Sequence, residues 1–187
     1  SRWALLKRVV AVVTGPALDA GSRSRHHPSM RCSTPRAVVL ALAATKEMIG
    51  RQVGSITVTQ VIVSEMIPHK EEYYCAVKST REGSEILVAN CGGIEVESNW
   101  ERVKRLCLEI GQAPSPESLE KLSKEAGFGG PLAKKMAEFA GKMFACFDSE
   151  DAQYLEVNPV VLRAADEELV ALDAVTLLDG DAKFRHP

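Results

Sequence analysis

The apolar positions of this chain fall in short runs separated by glycine and proline, and few runs are long enough for more than one element. Residues 9–13 (Val-Val-Ala-Val-Val) form a continuous, mostly β-branched run followed by Thr-Gly-Pro, which predicts a short buried strand. Residues 15–33 read as loop by composition. Thr34-Pro35 then offers a cap followed by proline at the first helical position, and the Ala/Leu-rich stretch to Met48-Ile49 predicts a helix stopped at Gly50. Residues 55–63 are rich in β-branched side chains and predict a strand, with Ile56, Val58 and Ile62 on one face and Val61 and Val63 on the other. Two more strands are expected over 73–79 and 84–89, joined through the hairpin-length turn Thr80-Arg81-Glu82-Gly83.

Gly92-Gly93 interrupts this pattern. Ser98-Asn99-Trp100-Glu101 has the form of a capping box and predicts a helix with Trp100, Val103, Cys107 and Ile110 on one side. Ser115-Pro116 opens a second helix carrying Leu119 and Leu122, and Leu132, Met136, Phe139, Met143 and Phe147 are spaced for a third. That aromatic and methionine stripe reads as core, and Gly127-Phe128-Gly129-Gly130-Pro131 as a turn between helices. Strands return over 154–162 and 169–173. The succession of strand, helix, strands, helices and strands predicts an α+β fold, with antiparallel sheets and helices packed on one face.

Composition narrows the class. The chain has 187 residues, 45% hydrophobic and 26% charged, which is globular and large enough for a sizeable core. The net charge of −2 argues against a nucleic-acid partner. No run of about 18 apolar residues offers a membrane span, and the short run 9–13 followed by Thr-Gly-Pro is not expected to be a secretory signal. Five widely spaced cysteines without a CxxC pair read as buried or free thiols of a reducing compartment, so a cytoplasmic location is expected. The charge is uneven: residues 1–36 carry a net +6 and residues 37–187 a net −8. The basic end, with His26 and His27, is either an exposed basic loop or an anion-binding loop.

Two places combine chemistry with an element that makes it costly. Glu156 and Asn158 stand on one face of the strand over 154–162 by alternation, and Asp173 ends the otherwise apolar run Leu169-Val170-Ala171-Leu172. Carboxylates in such strands are expensive unless paired or metal-bound. If the two strands are neighbours, two carboxylates and an amide oxygen converge, a donor set suited to Mg²⁺; the alternative is a pair of acids at a solvated sheet edge. The second place is the linker from Ser64-Glu65-Met66-Ile67 through Pro68-His69 to Glu71-Glu72. Free backbone groups there can read an adenine edge and a following acid can take ribose hydroxyls, or the segment is a polar hairpin loop with His69 solvated. Neither a P-loop, a nucleophile elbow nor an H-E-x-x-H zinc motif occurs.

Several separated segments then keep a recognisable order. They are Thr59-Gln60-Val61-Ile62-Val63-Ser64-Glu65-Met66, Glu71-Glu72-Tyr73-Tyr74, Ser79-Thr80-Arg81-Glu82-Gly83, Gly92-Gly93-Ile94-Glu95-Val96-Glu97, Tyr154-Leu155-Glu156-Val157-Asn158-Pro159, and Leu178-Asp179-Gly180-Asp181-Ala182-Lys183-Phe184-Arg185-His186-Pro187. From about Arg36 onward the chain resembles the ATP-grasp region of acyl-CoA synthetases, the succinyl-CoA synthetase β-subunits and, more closely, the ATP-grasp subunits of ATP-citrate lyases. The resemblance implies ATP and Mg²⁺ as ligands. By it, Glu65 and the backbone of Met66 and Ile67 lie at the adenine and Glu72 takes the ribose. Asn158 and Asp173 hold Mg²⁺ with Glu156 beside them, and Arg23 contacts the phosphates, with Arg25 as its substitute. The family's phosphate-side lysine falls where this chain has Gly15, which implies a weakened phosphate grip.

The resemblance also divides the chain into a basic strand and loop that depart from the family pattern (1–36) and an ATP-grasp nucleotide-binding domain (37–187). It implies that further family segments lie beyond both ends. The implied activity is the nucleotide half of ATP-citrate lyase: MgATP phosphorylates a histidine on a large α-type partner subunit, which also carries most of the CoA and citrate sites. His26, His27, His69 and His186 match no phosphohistidine motif. Two alternatives stand beside it, a succinyl-CoA synthetase β-subunit and a non-catalytic ATP-grasp relic serving subunit assembly.

Overall fold

The computed structural model describes residues 9–12, 35–54, 56–64 and 67–186. The chain divides into two compact units, Ser1–Ile67 and Pro68–Pro187.

In the first unit, strand β1 (Val9–Val12) supplies the predicted β-branched run. Helix α1 (Pro35–Met48) begins at its proline, whose missing N–H is no loss in a first turn, and ends before Gly50, whose φ of +83° an L side chain rarely adopts. The predicted strand over 55–63 is broken. Strand β2 (Gln52–Val53) pairs antiparallel with β3 (Ile56–Thr57), and the chain enters β4 (Val61–Ser64) only after residues 58–60. The reason is local: Val58 donates its N–H to the Arg51 carbonyl and accepts the Gly50 N–H, each at 2.9 Å. Its backbone groups are committed to the turn after α1 and cannot join the β4 ladder. β4 pairs parallel with β1, Val9 opposite Val61, and α1 packs on both, filling the role of the crossover that a parallel pair requires. The predicted loop over 15–33 and the Thr34 cap lie outside the described residues.

The second unit is a six-stranded antiparallel sheet with helices. Strands β5 (Glu72–Thr80) and β6 (Gly83–Ala89) form the predicted hairpin, closing with Thr80 opposite Gly83. A short helix, α2 (Gly93–Ser98), follows. The helix expected behind the capping box is absent. Trp100–Arg102 make one 3₁₀ turn, and the chain then extends into β7 (Lys104–Glu109), paired with β6 from Val88–Lys104 to Gly83–Glu109. Neither α2 nor the 3₁₀ turn has a side-chain cap. Along β7, Leu106 and Leu108 turn toward the core, while of the supposed helical stripe Trp100, Cys107 and Ile110 are exposed, Trp100 at 56% and Ile110 at 81%, and Val103 packs on the opposite face of the sheet. Pairing with an open β6 edge overrode a weak local helix signal.

Helices α3 (Pro116–Glu125) and α4 (Gly130–Ser149) appear as predicted, the first capped by Ser115, whose Oγ accepts the Ser118 N–H at 3.2 Å. Strand β8 (Ala152–Leu162) follows, then β9 (Leu169–Ala171) and β10 (Ala174–Leu178). The strand order is β10-β8-β5-β6-β7, with β9 beside the far end of β8. Tyr73, Cys75 and Val77 of β5, Ile86 and Val88 of β6, and Leu155 and Val157 of β8 pack on Leu119, Leu122, Met136, Ala140, Met143 and Phe147 of the helices. Each fully buried large side chain there contributes about 1.5–3 kcal/mol. The period of two therefore turns Tyr74, Ala76, Tyr154, Glu156 and Asn158 to the opposite face, where Tyr74, Ala76, Leu87, Ala89, Cys91 and Val96 form a smaller cluster. Among the described residues no helix is long and apolar enough to cross a membrane, and Cys75, Cys91, Cys107 and Cys146 are free thiols.

Candidate functional site

The sequence candidates in the second unit gather on the sheet face that α3 and α4 leave open. β9 and β10 are two halves of one path along β8, interrupted at Leu172-Asp173. Backbone bonds carry the pairing through the interruption: the Leu172 N–H donates to the Pro159 carbonyl at 3.1 Å and the Asn158 N–H to the Asp173 carbonyl at 3.3 Å. Asn158 and Asp173 are thus cross-strand neighbours, with Glu156 one alternation away on β8, opposite Val175. Asp173 is exposed and its Oδ1 accepts the N–H of Ala174 at 2.9 Å.

The Asn158 side chain is held on both sides by one residue. Its Oδ1 accepts the Gly93 N–H at 2.6 Å and its Nδ2 donates to the Gly93 carbonyl at 3.3 Å. An amide oxygen has two lone pairs, so one remains for another partner. Gly93 sits at φ +58°, and a Cβ there would lie 2.2 Å from Glu72 Oε2; the glycine makes room for that carboxylate. The other oxygen of Glu72, Oε1, lies 3.3 Å from His69 Nε2. Gly93, Glu72, His69 and Asn158 therefore form one group.

Glu156 is held from one side. The Tyr74 hydroxyl donates to its Oε2 at 2.9 Å, and the Tyr154 hydroxyl donates to the same oxygen. Burial, then the neighbouring Tyr154 hydroxyl, holds the Tyr74 phenol far above its usual range, and burial, then the bond to Glu156, pushes that of Tyr154 up to about 12. Both stay protonated donors at neutral pH.

The donor set is oxygen throughout. Among the described residues no three His, Cys, Asp or Glu side chains cluster closely enough to hold a metal by themselves. Asp173, the Asn158 amide oxygen and Glu156 offer what a hard cation takes when phosphates and water complete its shell, so these residues fit Mg²⁺ and not a thiolate- or imidazole-bound metal. Of the remaining candidates, Arg23, Glu65 and Met66 lie outside the described residues, and Ile67 is buried at the end of the first unit. Sequence reasoning missed Tyr74, Tyr154 and Gly93 as site residues. Tyr154 had a signal, since it shares a face with Glu156 two positions on.

Comparison with known proteins agrees with this architecture. The family model described as an ATP-grasp domain matches residues 36–162. ATP-citrate synthase alpha chain protein 1 of Arabidopsis thaliana is 35% identical over 145 residues, 75% of this chain and 33% of the relative. The beta subunit of an ADP-forming succinate–CoA ligase from Chloroflexus aurantiacus is 28% identical over 193 residues, 97% of this chain and 50% of the relative. The chain thus spans between a third and a half of the length of these curated relatives. Among solved structures, ATP citrate lyase from Methanothrix soehngenii, in complex with citrate and coenzyme A, superposes with a TM-score of 0.62 at 24% identity, over 78% of this chain and 34% of that one. The dinucleotide-forming acetyl-coenzyme A synthetase 1 of Ca. Korarchaeum cryptofilum gives 0.60 at 18% identity, over 79% and 68%. At these identities the structural likeness speaks for the fold, while the family match covers more than half of the chain. The chain belongs to the ATP-grasp family.

Proposed function

We propose that this chain is the MgATP-binding part of an ATP-citrate lyase, delivering the γ-phosphoryl group of ATP to a histidine presented by a large partner subunit. The overall reaction converts ATP, citrate and CoA to ADP, phosphate, acetyl-CoA and oxaloacetate. The observation that carries the reading is the pairing of Asn158 on β8 with Asp173 between β9 and β10, beside a Gly93 that also borders Glu72. Phosphoryl transfer asks a protein chiefly for positioning and charge neutralisation. Mg²⁺, when bound, neutralises phosphate charge. Asn158 and Asp173 hold it, Gly93 fixes the Asn158 amide, and Glu156 lies next to both. Glu72 takes the ribose hydroxyls, with His69 steadying its carboxylate. The backbone of Met66 and Ile67, with Glu65, reads the adenine, and Arg23 contacts the phosphates. In this reading 37–187 is the nucleotide-binding domain, and the acid and CoA are bound mainly by the partner.

The test is reconstitution. Purified chain, alone and mixed with a citrate-lyase large subunit, is assayed for acetyl-CoA from citrate, CoA and MgATP. The expected result is activity only in the mixture. Activity of the chain alone would contradict the division of labour. A second reading, a succinyl-CoA synthetase β-subunit, is favoured by the match to the Chloroflexus ligase, which runs over 97% of this chain. Succinate-dependent and not citrate-dependent activity in the corresponding mixture would select it.

A further inference from the structure

We propose that Tyr74 and Tyr154 are positioning residues for the metal–nucleotide site: together they hold Oε2 of Glu156, so that Oε1 alone is presented to the cation or to a water in its shell. The proposal rests on the MgATP reading above.

Both hydroxyls donate to one oxygen of the carboxylate, and among the described residues Oε1 has no partner. This asymmetry is built from two directions. Tyr154 precedes Glu156 by two residues on β8 and shares its face. Tyr74 arrives from β5, 82 residues away in sequence, at the point where the β5–β8 register shifts between Tyr73 and Cys75. Neither donor can swing aside easily. Tyr74 is 1% exposed and its ring meets the Trp100 indole edge-on, centroids 5.9 Å apart, while Tyr154 packs against the smaller apolar cluster. An unrestrained glutamate beside a cation rotates about three bonds and can bind through either oxygen or both. Two phenols on Oε2 remove that choice: they satisfy the inner oxygen and leave the other aligned before any ligand arrives. Partners that orient a metal-site carboxylate in this way govern affinity by roughly 10–100-fold in other proteins.

The experiment is calorimetric titration of the full chain with ATP, once with Mg²⁺ and once with EDTA, for the parent, Tyr154→Phe, Glu156→Gln and the variant carrying both. Tyr154→Phe should weaken the Mg²⁺-dependent binding about tenfold and leave binding in EDTA unchanged. The two changes together should weaken it no more than Glu156→Gln alone, because the tyrosine acts through that carboxylate. Tyr154 is half-buried, so its loss of one hydroxyl decides the matter without touching fully buried Tyr74. Parental affinity in Tyr154→Phe, equal losses with and without Mg²⁺, or strict additivity with Glu156→Gln would each overturn the proposal while leaving the MgATP reading standing. No difference between Mg²⁺ and EDTA in the parent would overturn both.

Discussion

Replacing Asp173 by alanine is expected to weaken MgATP binding about tenfold to hundredfold while leaving the fold intact. The magnitude follows from removing one charged oxygen from a set with few others: in the proposed site Asp173, an amide oxygen and Glu156 are the protein's share, and Mg²⁺ bound to a nucleotide depends on only one or two carboxylates. The fold is spared for a separate reason. Asp173 is exposed, and the bond that ties its strand to β8 runs from the Asn158 N–H to the Asp173 carbonyl, which alanine retains. The side chain's own contact, with the N–H of the next residue, is a surface bond that water can replace. Calorimetry with MgATP and chemical denaturation of the same variant separate the two effects. Equal MgATP affinity in Asp173→Ala and the parent would remove Asp173 from the site, and a large loss of stability would mean that its role is structural.

The second large effect is at Gly92. Its φ of −144° is extended backbone open to any residue, so the glycine is required by space and not by conformation. A Cβ there would lie 2.5 Å from the Tyr73 carbonyl oxygen and 2.8 Å from its carbonyl carbon and nitrogen, all backbone atoms of a central strand. Alanine lowers the entropy of the unfolded chain, a gain of about 0.4–1 kcal/mol, but overpacking against backbone costs about 1–3 kcal/mol and dominates. Gly92→Ala should thus destabilise the chain by about 1–2 kcal/mol. It should also loosen MgATP binding, because the residue that must move is next to Gly93, whose N–H and carbonyl hold Asn158. Urea unfolding and the MgATP titration read the two consequences. A variant as stable as the parent would show that the β5–β6 end is looser than its close approach implies.

What could be read from the sequence follows from how local the cause is. The strand over 154–162 and helices α3 and α4 carry their own signals: β-branched alternation, a Ser-Pro start, and a five-residue apolar stripe that does become core. Asn158 and Asp173 were legible as neighbours because their segments follow one another in the chain, but the strand expected over 169–173 ends at Ala171, and Asp173 stands exposed in the break before β10 and not within a strand. β7 was not legible, because Trp100, Val103, Cys107 and Ile110 mimic a helical spacing and only the β6 edge selects the strand. β10 was missed for a similar reason: Ala174-Val175-Thr176-Leu177-Leu178 does not alternate, is exposed throughout, and is a strand only through β8. The bonds from Tyr74 to Glu156 and from Gly93 to Asn158 join residues 82 and 65 apart. They depend on the register of β5 on β8 and on the close approach of Gly92 to Tyr73, quantities set by three-dimensional packing.

In the proposed function the cation and the nucleotide phosphates sit at the β8–β10 edge beside Gly93. Paramagnetic broadening tests it directly: ¹H–¹⁵N spectra of the labelled chain are recorded with ATP and increasing Mn²⁺ in place of Mg²⁺. The amide signals of Gly93, Asn158, Asp173 and Ala174 are expected to broaden first, in an ATP-dependent way, before those of the acidic surface of α3 around Glu117 and Glu120. Broadening that begins on α3, or that spreads over the exposed carboxylates without regard to ATP, would contradict it.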